Sequence, residues 1–428
     1  MKIKFVFSDF PLMRVAAIVG ILPLFLLFPA MMHAQEYDLL IKNGHVIDPK
    51  NAIDGEMDVA INDGKIARVA KNIPKSSAKK VADAKGMYVT PGFIDIHTHV
   101  FVGTKNGFAE GFSSVSPDDF TLKAGVTTVV DAGTSGANNF HVLKEDVIDR
   151  SKTRVLAFLN IFSNGFSSGN AVEHNASDMN PQMAADTIKK YSDYIVGMRI
   201  GHYSGKDWAP FDKAVQAAKM TQRPLLVECH LPNFTLQDQL KRMRPGDIIT
   251  HAYEQVSERM PVVDSQGVLR PFVIAAEKRG VLFDVGHGGA GFWFSQAIPA
   301  MIQGLLPNSF GTDLHRYSMN AGMKDMLNVM SKFLNMGMSL NDVIRRATWS
   351  AAQSIKREDL GNLSEGAVAD VAVISMLHGN FGYVDAGHNR LDGDRKLQTE
   401  LTVREGKVVF DLNGLTAKEL DSKYTLAH

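Results

Sequence analysis

Apolar runs of five to eight residues recur through the middle of this chain, and segments with helical spacing separate them. The runs fall at 93–100, 127–132, 154–161, 194–200, 225–230, 247–251, 281–285 and 309–313. Between them, one helical segment opens with Ser116 as N-cap and Pro117 at the first helical position, followed by Asp118 and Asp119. Others span 181–191, 211–219, 235–243, 268–279 and 323–337. Strands alternating with helices predict βαβ units and a parallel sheet. Eight such strands predict an α/β fold, a (β/α)8 barrel over 91–358, in which catalytic side chains come from the C-terminal strand ends.

The flanks read differently. From 37 to 88, short runs at 38–41, 45–47, 58–61 and 65–69 are separated by Asn43-Gly44 and Asp63-Gly64. An Asx-Gly step between such runs is a strong hairpin signal. The C-terminal side repeats the style at 371–374, 401–404 and 408–410, with Gly406 between the last two. Neither flank can bury a core alone. Together, residues 35–90 and 359–415 predict a small β-sandwich built from both chain ends, with 416–428 as a tail.

Charge and cysteine content narrow the classes. The 46 basic and 46 acidic residues balance, so no electrostatic footprint for nucleic acid exists. The single cysteine, Cys229, excludes an internal disulfide and sits in an apolar run, where it reads as packing. At the start, Lys2, Lys4 and Arg14 precede an apolar run from Val15 to Pro29, and small Ala34 ends the segment before Gln35-Glu36. That is the pattern of a secretory leader over 1–34. Pro23 interrupts the run, which is shorter than the ~20 residues needed to span a bilayer. The expectation is a periplasmic or secreted chain with no stable membrane anchoring after cleavage; a retained anchor is the alternative.

Polar residues gather at the ends of the apolar runs. His97 and His99 close the first, Asp131 the second and Asn160 the third; Arg199 and then His202 follow from the fourth. Glu228 and His230 close the fifth and His251 the sixth, with His287 after the seventh and Asp313 and His315 at the eighth. Two imidazoles spaced i, i+2 on a strand point the same way. Burying polar groups at one end of every strand without partners costs several kcal/mol each, and a metal centre supplies a common partner.

With PGFIDIHTH, GVTTVVDAG, VLAFLNI, MRPGDIITHAY, RGVLFDVGHG, FGTDLH and VMSKFLNMGMS, the chain resembles the amidohydrolase superfamily. The flanking phrases IKNGHVIDP and LGNLSEGAVADVAVI look like that superfamily's sandwich segments. The likeness runs from about Tyr37 to Asn413 and is strongest to the amidohydrolase/deacetylase branch, which is dihydroorotase-like with a TIM-type barrel. It implies that His97 and His99 bind a first metal, usually zinc, that His251 serves a second, and that Asp313 is both ligand and catalytic base. His287 would contact the substrate. Two positions depart from the branch. Arg199 stands where strand four usually presents a carboxylated lysine, and Glu228 where strand five usually presents a histidine. Arginine stays protonated and cannot ligate; Glu228 can ligate, bridge, or pair with Arg199. His230 shares strand parity with Glu228 and could replace the missing imidazole.

The expected metal set is therefore His97, His99, Glu228, His251 and Asp313, holding one tight zinc ion and a weaker second divalent ion. Arg199, His287, His230 and Asn160 are expected at the substrate. Arg199 has two equal readings, as a clamp for a substrate carboxylate or as the neutralising partner of Glu228. The implied reaction is metal-assisted hydrolysis of a small-molecule amide, an N-acyl amino acid or a cyclic amide, or of a related ester. Alternatives are a binding or scaffold protein with an altered site, or a deamination or isomerisation on the same barrel. Homo-oligomer formation stays open.

The leader reading has a direct check. N-terminal sequencing of protein from its native host should give a mature chain starting at or near Gln35. A full-length species held in the membrane fraction would make the leader an anchor.

Overall fold

The computed structural model describes residues 35–166, 176–203, 205–228, 233–255 and 259–421. Seven parallel strands form one sheet in chain order: Phe93–Thr98, Val126–Gly136, Arg154–Asn160, Ile195–Ile200, Leu225–Val227, Ile248–Ile249 and Leu282–Phe283. The segment 309–314 closes the ring. Ser309 pairs with Asp284 on one side, and Leu314 pairs with Thr98 on the other. The fold is thus a (β/α)8 barrel carrying a separate sheet. Strands five to seven keep only two or three residues of ladder, because their C-terminal residues leave the sheet to serve the site.

The strands bury both faces, as parallel strands do. A smaller cluster takes Ile94, Ile96, Val130, Leu156, Phe158, Val196, Leu226 and Ile248, capped by Ala351, Ala352, Ile355 and Leu360. A larger one joins Val129, Val155, Ile195, Leu225, Ile249 and Phe283 to helix residues such as Ile188, Ala214, Leu240 and Ala276. The helices start where the chain chemistry dictates. Asn180 and Thr235 cap Pro181–Lys190 and Leu236–Arg242 with side-chain oxygens, while Ser116 precedes Pro117–Phe120 without such a bond. Helices at Phe294–Ile302, Leu340–Ala347 and Trp349–Ser354 add to those expected.

The second sheet has eight strands from both flanks. Its order runs Lys407–Asp411, Arg390–Arg404, Val371–Val384, Tyr88–Pro91, Tyr37–Asp48, Ile53–Asn62, Lys65–Ala70, with Ala78–Asp83 also on Tyr37–Asp48. It encloses Leu39, Ile41, Val59, Ile61, Val89, Val373, Leu401 and Val403. Asp63-Gly64 makes the expected hairpin, but Asn43-Gly44 does not. Tyr37–Asp48 is one strand, bulged between Ile41 and Gly44. Asn43 takes φ 60° at the bulge, its N–H donates to Asp58 Oδ1 at 2.8 Å, and Gly44 packs so tightly on Val89 that a Cβ would lie 2.3 Å from its methyl. The Asx-Gly step supplies a left-handed residue for a bulge as readily as for a turn.

The strands Val371–Val384 and Arg390–Arg404 outrun the short apolar cores visible in the sequence. Their hairpin tip reaches the loop after barrel strand seven. Asp385 accepts the Phe294 N–H at 3.0 Å, the Ala386 N–H donates to Phe292 O at 2.9 Å, and Gly387 lies flat on Trp293. The hairpin therefore holds a loop that lines the cavity described next.

Candidate metal centre

His97 and His99 leave barrel strand one on the same side, and both Nε2 atoms face Asp313 Oδ1, at 3.5 and 3.3 Å. Donors around a tetrahedral zinc-like ion with bonds of ~2.0–2.1 Å sit about 3.3 Å apart, so this spacing suits a shared ion. Glu228 adds Oε2 at 3.8 Å from His97 Nε2 and Oε1 at 3.3 Å from His251 Nε2. Two triads, His97–His99–Glu228 and His97–His251–Asp313, each gather within 4.8 Å, all buried.

The far side of each ring fixes its tautomer. His99 Nδ1 lies 3.0 Å from Thr134 Oγ1, whose proton goes to Asp131 Oδ2 at 2.6 Å. His97 Nδ1 lies 2.8 Å from Thr250 Oγ1, whose proton goes to Asp284 Oδ2 at 2.8 Å. Each hydroxyl has spent its only proton, so each imidazole must donate from Nδ1 and present a bare Nε2 lone pair. His251 donates from Nδ1 to Gly286 O at 2.6 Å, with the same result. His97 Nε2 is buried with no hydrogen-bond partner among the described residues, and burial lowers its pKa to about 3. A neutral, aimed and unsatisfied nitrogen is what a metal ligand requires. The residues fit a divalent ion.

Burial alone would raise the Asp313 pKa, but the His315 imidazole beside it holds it well below the usual carboxylate range. Burial raises the pKa of Asp131 and Asp284, against the donors each accepts. Glycines make the room. A Cβ on Gly288 would lie 2.1 Å from Asp313 Oδ2, one on Gly291 2.1 Å from His251 Nδ1, and one on Gly311 2.3 Å from Asp284 Oδ2. His202, His251 and Asp313 themselves sit at φ 56°, 55° and 52°. Each such residue costs ~1–2 kcal/mol, and strain of this kind concentrates at functional sites.

These donors open into a cavity of about 230 Å³. Its lining includes His99, Phe108, Phe166, His202, Glu228, His251, Asp313, His315 and the 289–291 loop. Phe166 stacks on His99 at 5.6 Å, tilts onto His202 at 4.8 Å and meets Phe108 at 4.4 Å between ring centroids.

Comparison with known proteins agrees with this arrangement. Residues 295–409 match the amidohydrolase family. A deacetylase of Agrobacterium fabrum is 31% identical over 344 residues, covering 79% of this chain and 83% of its own. The chain belongs to the amidohydrolase family. A deacetylase of Brucella anthropi is likewise 31% identical over 340 residues, covering 78% of this chain and 83% of its own. Among solved structures, an adenine deaminase superposes with TM-score 0.78 at 28% identity, covering 88% of this chain and all of that one. A dihydroorotase gives 0.76 at 27%, covering 87% and 99%.

Not every expected residue of this amidohydrolase reaches the cavity. His287 is fully buried and turned away. Its Nδ1 faces Gly288 O at 3.0 Å, its Nε2 accepts from Lys332 Nζ at 2.6 Å, and its ring stacks on Phe292 at 4.8 Å. Lys332, from helix Met326–Asn335, also donates to Gly322 O at 2.7 Å. His287 thus supports the 286–293 loop and is not among the residues that line the cavity. Asn160 is buried too; its amide donates to Gly133 O at 2.9 Å and accepts from the Phe162 N–H at 3.1 Å, bracing the strand-two end behind the cavity wall.

Arg199 is fully buried and does not line the cavity. Its Nη2 donates to Glu228 Oε2 at 2.9 Å and its guanidinium lies 5.0 Å from the Phe166 ring. Of its two readings the structure favours the partner of Glu228, because the close approach of Gly133 and Gly201 fills the space around its stem and tip. His230 and Cys229 lie outside the described residues. Other residues gain roles that spacing along the chain did not suggest. Thr134 and Thr250 orient the rings of His99 and His97, and His202, His315, Phe108 and Phe166 form the cavity wall. The hydroxyl contacts had no spacing signal, since their partners are 35 and 153 residues apart.

Two measurements follow from these contacts. Thr134→Val removes the acceptor of His99 Nδ1, and metal affinity by chelator competition should fall ~10–100-fold; unchanged affinity would mean the hydroxyl does not orient His99. Burial lowers the Lys332 pKa from 10.5 to about 7. Between those values the unfolded chain holds a proton that the folded one has released, so this group makes stability rise with pH across that window. Urea melts at several pH values should show a slope of up to ~1.4 kcal/mol per pH unit in wild type that Lys332→Met lacks. Parallel curves would remove Lys332 as a buried neutral amine.

Proposed function

We propose that this chain is an exported, zinc-dependent hydrolase that removes a small, acetyl-sized acyl group from an amide nitrogen or a related ester oxygen. The observation that carries the reading is the set of three imidazoles with Nδ1 engaged and Nε2 aimed at one place beside an ionised Asp313. The cavity is below the ~300 Å³ common for drug-sized ligands, and its phenylalanine wall suits a short apolar acyl group. Two relatives that match most of the chain are named deacetylases.

His97, His99 and Asp313 would hold the first ion. A divalent ion there supplies Lewis acidity and brings the pKa of water towards ~7. Asp313, ionised and open to the cavity, takes the proton of the attacking water and returns it to the leaving nitrogen or oxygen. His315, with Nε2 3.6 Å from Asp313 Oδ2, keeps that carboxylate ionised between turnovers. Phe108 and Phe166 exclude bulk water from the reacting carbonyl. The Asp131–Thr134–His99 and Asp284–Thr250–His97 chains hold the rings through the cycle.

A second reading, deamination, has the superposition on an adenine deaminase in its favour. Metal-loaded protein should be screened against N-acyl amino acids, cyclic amides and acetyl esters, with the products identified. Release of a titratable acid supports acyl hydrolysis; ammonia with no acid would establish the deaminase reading instead. On the best substrate, Asp313→Asn should stay folded and lower kcat by at least ~10²-fold. Near-wild-type turnover in that variant would take Asp313 out of the proton transfer.

A further inference from the structure

The loop after barrel strand seven touches two of the donors. Gly286 O accepts the Nδ1–H of His251 at 2.6 Å. The Gly288 N–H donates at 2.9 Å to Thr312 O, one residue before Asp313. A Cβ at Gly288 or Gly291 would strike Asp313 Oδ2 or His251 Nδ1, so a small shift of this loop moves both donors. Lys332, on helix Met326–Asn335, ends on the same loop. We propose that Lys332 is a positioning residue for the metal centre, holding His251 and Asp313 in place through His287. This inference rests on the metal-dependent reading above.

Three observations carry it. First, the Lys332 amine joins the loops that follow strands seven and eight. It donates to His287 Nε2 at 2.6 Å in one and to Gly322 O at 2.7 Å in the other. Gly322 in turn lies against the hairpin tip, where a Cβ would sit 2.7 Å from Val384 O and 2.9 Å from Asp385 O. Second, this bond fixes the tautomer of His287. With Nε2 accepting, the ring proton sits on Nδ1 and faces Gly288 O at 3.0 Å. One imidazole therefore links Lys332 to the residue packed on Asp313. Third, the junction is costly to bury. Lys332 is fully buried, and its hydrogen bonds among the described residues go to an imidazole and a carbonyl, not to a carboxylate. A leucine or methionine would fill the space without that desolvation cost. Burial lowers the Lys332 pKa to about 7, and a neutral amine has two N–H groups, one for each acceptor it meets. Strongly perturbed groups of this kind concentrate at functional sites.

Lys332 bonds neither donor itself, so its influence passes through His287. Without the amine, His287 Nε2 is left as a buried acceptor with no partner, which costs more than the bond alone. The ring regains a partner only by turning, and Gly286 and Gly288 on either side of it move when it does. His251 then loses the alignment of the carbonyl that keeps its Nε2 bare.

The test is Zn²⁺ affinity by chelator competition on the full chain, with the visible spectrum of the Co²⁺-loaded protein as a record of ligand geometry. Neither measurement needs substrate. Lys332→Met should stay folded, bind Zn²⁺ ~10–100-fold more weakly and show altered Co²⁺ bands. His287→Phe, which keeps a ring against Phe292, should do the same. The double variant should lose no more affinity than the more affected single variant, because both changes break one path. Lys332→Gln, which keeps an N–H donor, serves if the methionine variant fails to fold, with a smaller loss expected. Unchanged affinity and spectrum in folded Lys332→Met would overturn the proposal. Losses that multiply in the double variant would overturn it too, since they mark two independent defects. Protein that behaves as expected here yet hydrolyses none of the panel would fail the functional reading and leave this one standing. Wild type with no tightly held ion would fail both.

Discussion

A histidine can ligate only through a nitrogen that carries no proton, and the barrel is arranged to guarantee that state three times. Asp131 and Asp284 claim the hydroxyl protons of Thr134 and Thr250, and those oxygens then claim Nδ1–H of His99 and His97. Gly286 O claims Nδ1–H of His251. The ends of strands one, two, six and seven all contribute to this pattern, so the tautomers depend on the ring being closed. Loss of one buried carboxylate would free a hydroxyl, let a ring turn, and cost more than the single bond removed, because the remaining polar groups would stay buried and unpaired.

The same constraint explains the glycines and the short ladders. Donors from separate strands can approach within 4.8 Å only if the backbone between them carries no side chain. Gly286, Gly288, Gly291 and Gly311 occupy those places, two of them at positive φ. A loop of this kind has little stiffness of its own. It is held from below by Lys332 through His287, and from outside by the hairpin tip at Asp385, Ala386 and Gly387. The second sheet is therefore tied to this loop by one backbone hydrogen bond, from Ala386 to Phe292, and by the Phe294 N–H donating to the Asp385 carboxylate.

The electrostatics of the centre turn on the pairing of Arg199 with Glu228. A fully buried guanidinium needs a carboxylate, and a carboxylate among imidazoles needs a fixed orientation. Each supplies what the other lacks. Phe166 links this pair to the substrate cavity, because one ring contacts the Arg199 guanidinium, His202, His99 and Phe108.

Much of this was legible along the chain. Periodicity marked the eight barrel strands, and strand parity put His97 and His99 on one side, because both depend only on spacing a few residues long. The end-of-strand position marked Glu228, His251 and Asp313, since a polar group closing an apolar run has few reasons to be there. Other features depend on residues far apart in sequence. The turn of His287 away from the cavity was decided by Lys332, 45 residues later. Whether Asn43-Gly44 made a turn or a bulge was decided by pairing with Met57 across the sheet. The pairing of Arg199 depends on Glu228 on the next strand, and the importance of Thr134 and Thr250 on the two imidazoles of strand one that they meet. Local spacing sets which face a side chain leaves from; only the closed barrel sets what it meets there.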